Sequence, residues 1–268
     1  MKTLAAAVVF VLITSEFALA QQAPAPPAPE WGTILGRVVY DGKGKIPAPR
    51  MVPIRPGAGR PAQIEDDSLV INKQNSGLAN VVIYLRSKPS KIHPGYADSK
   101  PQKQILTTRN YRFEPHVNAI WSKDTLELRN AENVGVNVKY DSHVNDFNVL
   151  ITPGEAENKQ FKGSEYMPRP LSDNIHPWMS GQLLVRDTPY FCVTNERGIF
   201  CIPNLPTNET HEFVFWHERC GYMSGMANQS PNPNHQVVLN PKGRLLITFT
   251  EPVLDLGEFL ADPKKLMQ

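Results

Sequence analysis

The stretch Arg-Pro-Leu-Ser-Asp-Asn-Ile-His-Pro-Trp-Met occupies positions 169–179. The apolar runs that flank it, 149–151 and 182–185, are typical of β-strands. Turns between strands are usually built from Gly, Pro, Asn, Asp and Ser. This one also carries a His, a Trp and a Met, of which the first and last are His176 and Met179. We therefore predict a loop that holds a ligand rather than an ordinary turn.

Two residues of this loop have the types found in a blue-copper site. Such a site takes two His, one Cys thiolate and a weakly bound Met. His176 and Met179 supply two of these ligands. The residue three positions before His176, where the thiolate is expected, is Asp173. The loop alone therefore indicates an incomplete ligand set.

Residues 1–20 have the features of a secretory signal peptide. Lys2 gives a charged start, 4–13 is apolar, and Ala-Leu-Ala precedes Gln21 as a cleavage site. The apolar stretch is too short to span a membrane, and no later segment is long enough. We predict a secreted or periplasmic protein with no membrane span. A stiff linker rich in Pro and Ala follows at 21–30.

Composition favours sheets over helices. The 268 residues include 28 Lys and Arg against 26 Asp and Glu, a formal net charge of +2. This near balance argues against a nucleic-acid-binding surface, and we predict no nucleic-acid partner. The 25 Pro residues, and the lack of long helical periodicity, favour an all-β fold with many short strands.

Several strands can be placed from their patterns. Residues 31–40 alternate between apolar and polar or small residues, and an Asp-Gly-Lys-Gly turn follows them. Residues 78–85 are almost continuously apolar, which predicts a central strand. Residues 253–256 are predicted to form a short edge strand. The segment 260–268 is predicted to be a weakly helical or frayed tail.

Three cysteines in an exported chain raise the question of a disulfide. Cys192 and Cys201 flank the turn 195–198, and a hairpin there would place them opposite each other. Opposed residues have Cβ atoms about 4.5–5.5 Å apart, which is near bridging distance but not ideal for it. The sequence allows either a cross-strand disulfide or two free thiols. Cys220 is left over and is predicted to be a partly buried thiol.

A second group of soft ligands lies in and just after the Gly-, Asn- and Pro-rich stretch 217–234. Its members are Cys220, Met223, Met226 and His235. Their spacing matches no established metal motif, and Met commonly fills gaps in apolar cores. The sequence leaves both interpretations open.

Five segments carry a resemblance to a known family. They are 79–85, 113–117, 174–179, 187–191 and 215–218. On these segments the chain resembles the secreted bacterial cupredoxin-like proteins that are often described as plastocyanin-like or methylamine-utilisation proteins. The most specific element is the Ile-His-Pro-Trp-Met loop. The resemblance implies a cupredoxin-like β-sandwich.

A second resemblance concerns the two ends of the chain. The first strands, and the later segment Val-Thr-Asn-Glu-Arg-Gly-Ile-Phe at 193–200, resemble a carboxypeptidase-regulatory, or transthyretin-like, domain. Together the two resemblances imply a cupredoxin-like sandwich at 103–187. It would be inserted between the two parts of a transthyretin-like sandwich, at 31–90 and 188–259.

The resemblance also identifies the positions of the copper ligands. Family members with a complete site have a His after a strand end and a Cys three residues before the loop His. Here Val136 and Asp173 stand at those positions. The resemblance therefore implies a degenerate copper site that keeps His176 and Met179. The further histidines that could complete a metal site, with Asp173 as an oxygen ligand, are His143 and His116.

The sequence gives no specific support for an enzyme. The sequence has no nucleophile-elbow, zinc-protease or phosphate-loop motif. The leading hypothesis is an exported, non-enzymatic protein without a cofactor, which binds an unknown envelope protein or a small ligand or has a structural role. The alternative is a copper- or metal-binding or electron-transfer protein that uses His176 and Met179 with a rescuing His.

Overall fold

The computed structural model describes residues 28–55, 61–230, 237 and 239–267, so the signal peptide predicted at 1–20 and most of the linker lie outside the described residues. The elements in chain order are β1 (Trp31–Tyr40), β2 (Met51–Pro53), β3 (Gln63–Glu65), β4 (Val82–Leu85), α1 (Pro94–Ala97), β5 (Lys103–Arg109), β6 (Arg112–Glu114), β7 (Val117–Trp121), β8 (Thr125–Asn130), β9 (Val136–Tyr140), β10 (Phe147–Ile151), β11 (Ala156–Lys159), β12 (Arg169–Asp173), β13 (Ser180–Arg186), β14 (Phe191–Val193), β15 (Ile199–Pro206), β16 (Thr210–His217), β17 (Gly221–Tyr222), β18 (Ala227–Gln229), β19 (Arg244–Thr248), β20 (Val253–Ala261) and α2 (Pro263–Leu266).

Within the described residues the strands form four larger sheets, which we name sheets I to IV, and one small hairpin. Sheet I has the order β15-β1-β20-β18, and sheet II has the order β14-β4-β16-β17 with β19 also paired to β16. Sheet III has the order β10-β9-β12-β13-β7, sheet IV has the order β11-β8-β5-β6, and β2 pairs with β3. The prediction of an all-β fold is confirmed.

Sheets I and II pack face to face around the larger apolar core. Because side chains alternate along a strand, every second residue of β1 points inward, and Ile34 and Val38 are fully buried. Phe200, Phe215 and Phe259 come from β15, β16 and β20. The ring centroids of Phe200 and Phe215 are 5.7 Å apart, and those of Phe215 and Phe259 are 4.8 Å apart. These aromatic contacts join the two sheets.

Sheets III and IV enclose a second apolar core. Leu171, Leu183 and Val185 of sheet III pack in one cluster with Leu126 and Leu128 of sheet IV, and all five side chains are buried. The strands of these two sheets all come from the middle of the chain, β5 to β13. The strands of sheets I and II come from its two ends.

Sheet II has a second apolar face, and this face packs on sheet III. Val82 and Trp216 of sheet II lie in one buried cluster with Val117 and Leu184 of sheet III. The sheets therefore stack in the order I, II, III, IV, and β4 is buried on both faces. Double burial explains why the segment 78–85 is apolar at almost every position. The predicted central position is confirmed, since β4 lies between β14 and β16, but the strand covers only Val82–Leu85 of the predicted segment.

The hairpin predicted around 195–198 is wrong, and so is the register proposed for Cys192 and Cys201. β14 pairs with β4 in sheet II, whereas β15 pairs with β1 in sheet I. The turn therefore carries the chain from one sheet to the other. Gly198 makes this passage with φ +74°, and a Cβ atom there would overlap the carbonyl oxygen of Val38. Cys192 and Cys201 are free thiols in the structure.

The end of the chain is more ordered than its sequence suggests. The short edge strand predicted at 253–256 is wrong in length and position, since β20 has nine residues and lies between β1 and β18. The tail predicted at 260–268 begins inside β20 and continues into α2, whose Leu266 is fully buried. Both helices in the described part of the chain have four residues, and none there has the length and apolar character to cross a membrane.

Candidate functional site

The segment 169–179 is part strand and part turn. Its first five residues form β12, which pairs with β13 and with β9. The turn is closed by backbone hydrogen bonds, since the N–H of Met179 donates to the carbonyl of His176 at 2.9 Å. The N–H of Asp173 donates in turn to the carbonyl of Met179 at 3.3 Å. The predicted ligand loop is therefore a compact turn held at the end of sheet III.

Asp173 is the centre of this turn. Its carboxylate is buried, and Oδ2 lies 2.8 Å from Nδ1 of the His176 ring. Oδ1 accepts hydrogen bonds from the backbone N–H groups of Asn137, Ile175 and His176 at 3.1, 2.7 and 3.3 Å. A buried carboxylate is stable only when its oxygens are satisfied in this way. Asp173 therefore holds the turn against β9 from inside.

The His176 ring is enclosed by aromatic side chains. Its centroid lies 5.3 Å from the Trp178 ring and 6.4 Å from the Tyr111 ring. Only 3% of His176 is exposed. Met179 and Val136 are buried in the core between sheets III and IV. The turn therefore packs as part of that core.

The structure brings some of the predicted ligands together and separates others. Asp173 and His176 are in contact, and Met179 ends the same turn. His143 is exposed in the connection after β9, whereas Asp173 contacts the second residue of that strand. His143 is therefore not positioned to complete the site. Across the described ranges, no three His, Cys, Asp or Glu side chains are grouped to hold a metal ion.

His116, proposed from the sequence as a possible further metal ligand, pairs with a carboxylate that links the two pairs of sheets. Its Nε2 lies 2.8 Å from a carboxylate oxygen of Glu218, and both side chains are about nine-tenths buried. His116 lies between β6 and β7, whereas Glu218 follows β16 of sheet II. Burial alone would lower the pKa of His116. The hydrogen bond to Glu218 and the negative charges of Glu218, Asp67 and Asp66 outweigh burial and raise it.

His217 is the last residue of β16 and is fully buried. Its Nδ1 accepts a hydrogen bond from the N–H of Arg219 at 3.3 Å, so the neutral ring carries its proton on Nε2. Within the described chain Nε2 has no hydrogen bond of normal geometry, although the backbone of Ala79 lies near enough to favour the charged form slightly. Burial dominates and lowers the pKa of His217 to about 4.

A cavity of about 300 Å³ lies beside the turn and the His116–Glu218 pair. Trp178 and Met179 form its apolar wall, and the indole N–H of Trp178 is buried with no hydrogen-bond partner in the described part of the chain. The charged residues that line the cavity are Arg50, Arg112, Arg219, Glu65, Asp66 and Asp67. Sequence reasoning missed this cavity, because its walls come from segments that are distant along the chain.

The chain was compared with known proteins. No family model matches it, and no curated protein matches it. Solved structures with partial similarity include a Cu-containing nitrite reductase from Thermus scotoductus SA-01, at 17% identity and TM-score 0.31, over 35% of this chain and 27% of that chain. A Cu(I) form of an amicyanin mutant aligns at 17% identity and TM-score 0.29, over 40% of this chain and 99% of that chain. Amicyanin from Paracoccus versutus aligns at 19% identity and TM-score 0.29, over 39% and 97%.

The contacts of Asp173 predict a large effect on stability. Asp173→Ala removes the acceptor of three backbone N–H groups and of the His176 ring, and we expect it to lower the free energy of unfolding by about 3–5 kcal/mol. The neighbouring variant Asn174→Ala removes exposed hydrogen bonds to Asn137 and Asn148. It should cost no more than about 1 kcal/mol. The unfolding free energies are measured by urea denaturation. If the two variants lost the same amount of stability, the central role of Asp173 would be contradicted.

The lowered pKa of His217 predicts a loss of stability in acid. The unfolded chain binds a proton at His217 near pH 6.5, whereas the folded chain resists it until about pH 4. Stability is therefore full above pH 6.5 and falls as the pH drops toward 4, by about 2–3 kcal/mol from this group at pH 4.5. His116 has the opposite sign, since its raised pKa contributes stability below pH 6.5 that is lost as the pH rises.

The measurement is the unfolding free energy of wild type and His217→Gln at pH 7 and pH 4.5. The variant lacks the titrating ring, so it should lose less stability between the two pH values than wild type. Parallel curves for the two proteins would show that His217 does not resist protonation.

Proposed function

We propose that this chain is an exported, non-enzymatic binding protein on a cupredoxin-like scaffold whose copper position is closed. The observation that carries the proposal is the Asp173 carboxylate. It stands at the position where the resemblance expects a thiolate, and its oxygens are already used by His176 Nδ1 and by backbone N–H groups. Recruiting Asp173 for a metal would break the contacts that hold the turn.

Val136 closes the other expected ligand position. It is the first residue of β9, is fully buried, and pairs with Ile151 of β10. An aliphatic side chain has no donor atom for a metal. Without a thiolate and a second imidazole, the electron-transfer character of a blue-copper site has no basis in this turn.

The division of the chain into domains is part of the proposal. We propose a cupredoxin-like sandwich at 103–187 inserted into a transthyretin-like sandwich made of 31–90 and 188–259. Support comes from the membership of the sheets, since β5 to β13 build only sheets III and IV. The strands before and after them that belong to the larger sheets build sheets I and II.

The cavity of about 300 Å³ supports a binding role. A cavity of this volume is at the small end of the range for ligand sites. The buried indole N–H of Trp178 has no acceptor within the described ranges, so a ligand oxygen would satisfy it. Arginine and carboxylate side chains both line the cavity, where Arg112 pairs with Asp67 at 3.0 Å and Arg50 with Asp66 at 3.8 Å. A lining that carries both charges favours a small polar ligand that also carries both.

The alternative of a metal site at His176 also has one supporting observation. A histidine that binds a metal commonly donates its other ring N–H to a carboxylate. The Asp173–His176 pair has this arrangement. If it acted in this way, His176→Ala would lower the amount of Cu(II) that the protein binds.

Restoring the lost ligands tests the proposal directly. Wild type mixed with Cu(II) should lack the intense visible band of a thiolate–copper site. The double variant Val136→His with Asp173→Cys should gain this band, because the scaffold then presents all four ligand types. Each single variant is a control, and circular dichroism checks the fold. A band in wild type contradicts the closed site, and a folded double variant without a band contradicts the assignment of the ligand positions.

The binding role is tested by calorimetry on protein from the periplasmic fraction, where we expect a processed chain that begins at Gln21. The probes are an amino acid, a dicarboxylate and a neutral sugar, of which the zwitterionic amino acid should bind best. Trp178→Phe keeps an aromatic wall but removes the N–H, and should weaken binding about tenfold. Binding of equal strength in the variant, or of none of the probes, would contradict a ligand site at this cavity.

A further inference from the structure

Three sulfur-bearing side chains line one small cavity that lies apart from the site described above. They are Cys220, Met223 and Met226, spaced three residues apart along the chain. Met223 and Met226 are 3% and 7% exposed, and Cys220 packs against the same apolar core between sheets I and II. The cavity therefore lies at the edge of this core, between the buried Met223 and Met226 and the exposed Asp262.

The backbone fixes the first two of these residues. The N–H of Cys220 donates to the carbonyl of His217 at 3.1 Å, which turns the chain after β16. The N–H of Met223 donates to the carbonyl of Phe215 at 2.9 Å, directly after β17. Gly243 approaches so closely that a Cβ atom there would lie 3.1 Å from the Met223 backbone. The two sulfur-bearing residues are therefore held on a packed segment.

The helix α2 and the end of β20 complete the cavity wall through Ala261, Asp262, Lys265 and Leu266. Asp262 caps the helix, since its carboxylate accepts a hydrogen bond from the N–H of Lys264 at 2.9 Å. Lys265 Nζ lies 3.1 Å from Oγ of Ser224. Among the described residues of this wall, the one carboxylate is therefore already engaged, and an ammonium group lies beside the sulfurs.

The size of the cavity limits what it can hold. Its volume is about 10 Å³, which is close to the space of one water molecule and excludes an organic ligand. A thiol and two thioethers are soft ligands that select Cu(I) over hard divalent ions. The nearby Lys265 charge also disfavours a divalent cation, whereas a single positive charge is balanced by one thiolate.

We propose that Cys220, Met223 and Met226 form a Cu(I) site. Binding converts the Cys220 thiol to a thiolate, so that one S–Cu bond forms, one S–H bond breaks and one proton is released to solvent. The copper enters and stays as Cu(I), so no electron is transferred. The site does not depend on the Asp173 turn, and its test is separate from that of the proposed function.

Anaerobic titration with Cu(I) in competition with a chromogenic Cu(I) chelator measures the affinity. Wild type should bind one equivalent. Met223→Leu and Met226→Leu conserve volume and packing, so each should fold normally and weaken binding at least tenfold, and Cys220→Ser should abolish it. Met167→Leu, at a partly buried Met in the cluster between sheets II and III, is the matched control and should bind as wild type does. Met179→Leu tests whether Cu(I) binds at the Asp173 turn instead.

Proton release gives a second readout that packing alone would not produce. The ordinary pKa of a cysteine thiol is about 8.5. The thiol is therefore protonated at neutral pH, and Cu(I) affinity should rise about tenfold per pH unit between pH 6 and pH 8. Met223→Leu keeps the thiol, so its weaker Cu(I) binding should keep the same slope.

Three outcomes would overturn the proposal. Wild type fails to compete with the chelator, or the Leu variants at 223 and 226 bind as tightly as wild type, or binding is lost only in Met179→Leu. The last result would place Cu(I) at the Asp173 turn instead. It would then count against the closed site as well, whereas the first two leave the closed site untouched.

Discussion

The burial of sheet II on both of its faces is the constraint on which the rest of the structure depends. One face packs on sheet I through the larger core, and the other packs on sheet III through Val82, Trp216, Val117 and Leu184. A strand that is buried on both faces must be apolar at successive positions. This constraint holds the two pairs of sheets together. It also brings Glu218, which follows β16, next to His116, which lies between β6 and β7.

The strands whose pattern reflects burial directly could be predicted from the sequence. β1 alternates because one of its faces is buried, and β4 is continuously apolar because both are. The crossing of the chain from sheet II to sheet I, between β14 and β15, could not be predicted in the same way. Asn195 to Gly198 has the chemistry of a tight turn, but turn chemistry does not say whether the following strand returns to the same sheet. That choice is made by β1, which pairs with β15 far along the chain.

The candidate site, too, could be predicted only where its contacts are local in the sequence. The contact of Asp173 with His176 is local, and a spacing of three residues could suggest it. The hydrogen bond from Asn137 to the Asp173 carboxylate depends on the pairing of β9 with β12, and no local pattern reveals it. The His116–Glu218 pair joins residues 102 positions apart. The sequence therefore pointed to the turn, and it missed the cavity that lies beside the turn.

The interface between sheets II and III has a consequence for how the whole chain moves. Domains joined by a flexible linker and a small polar contact swing relative to each other, whereas a large apolar contact suppresses this motion. If sheets I and II separated from sheets III and IV, Trp216 and Tyr84 would be exposed to water. A buried arginine, Arg186 of β13, also donates hydrogen bonds to the carbonyls of Leu85 and Arg86 across this boundary. We therefore expect the two pairs of sheets to tumble as one rigid particle and to unfold in a single cooperative transition.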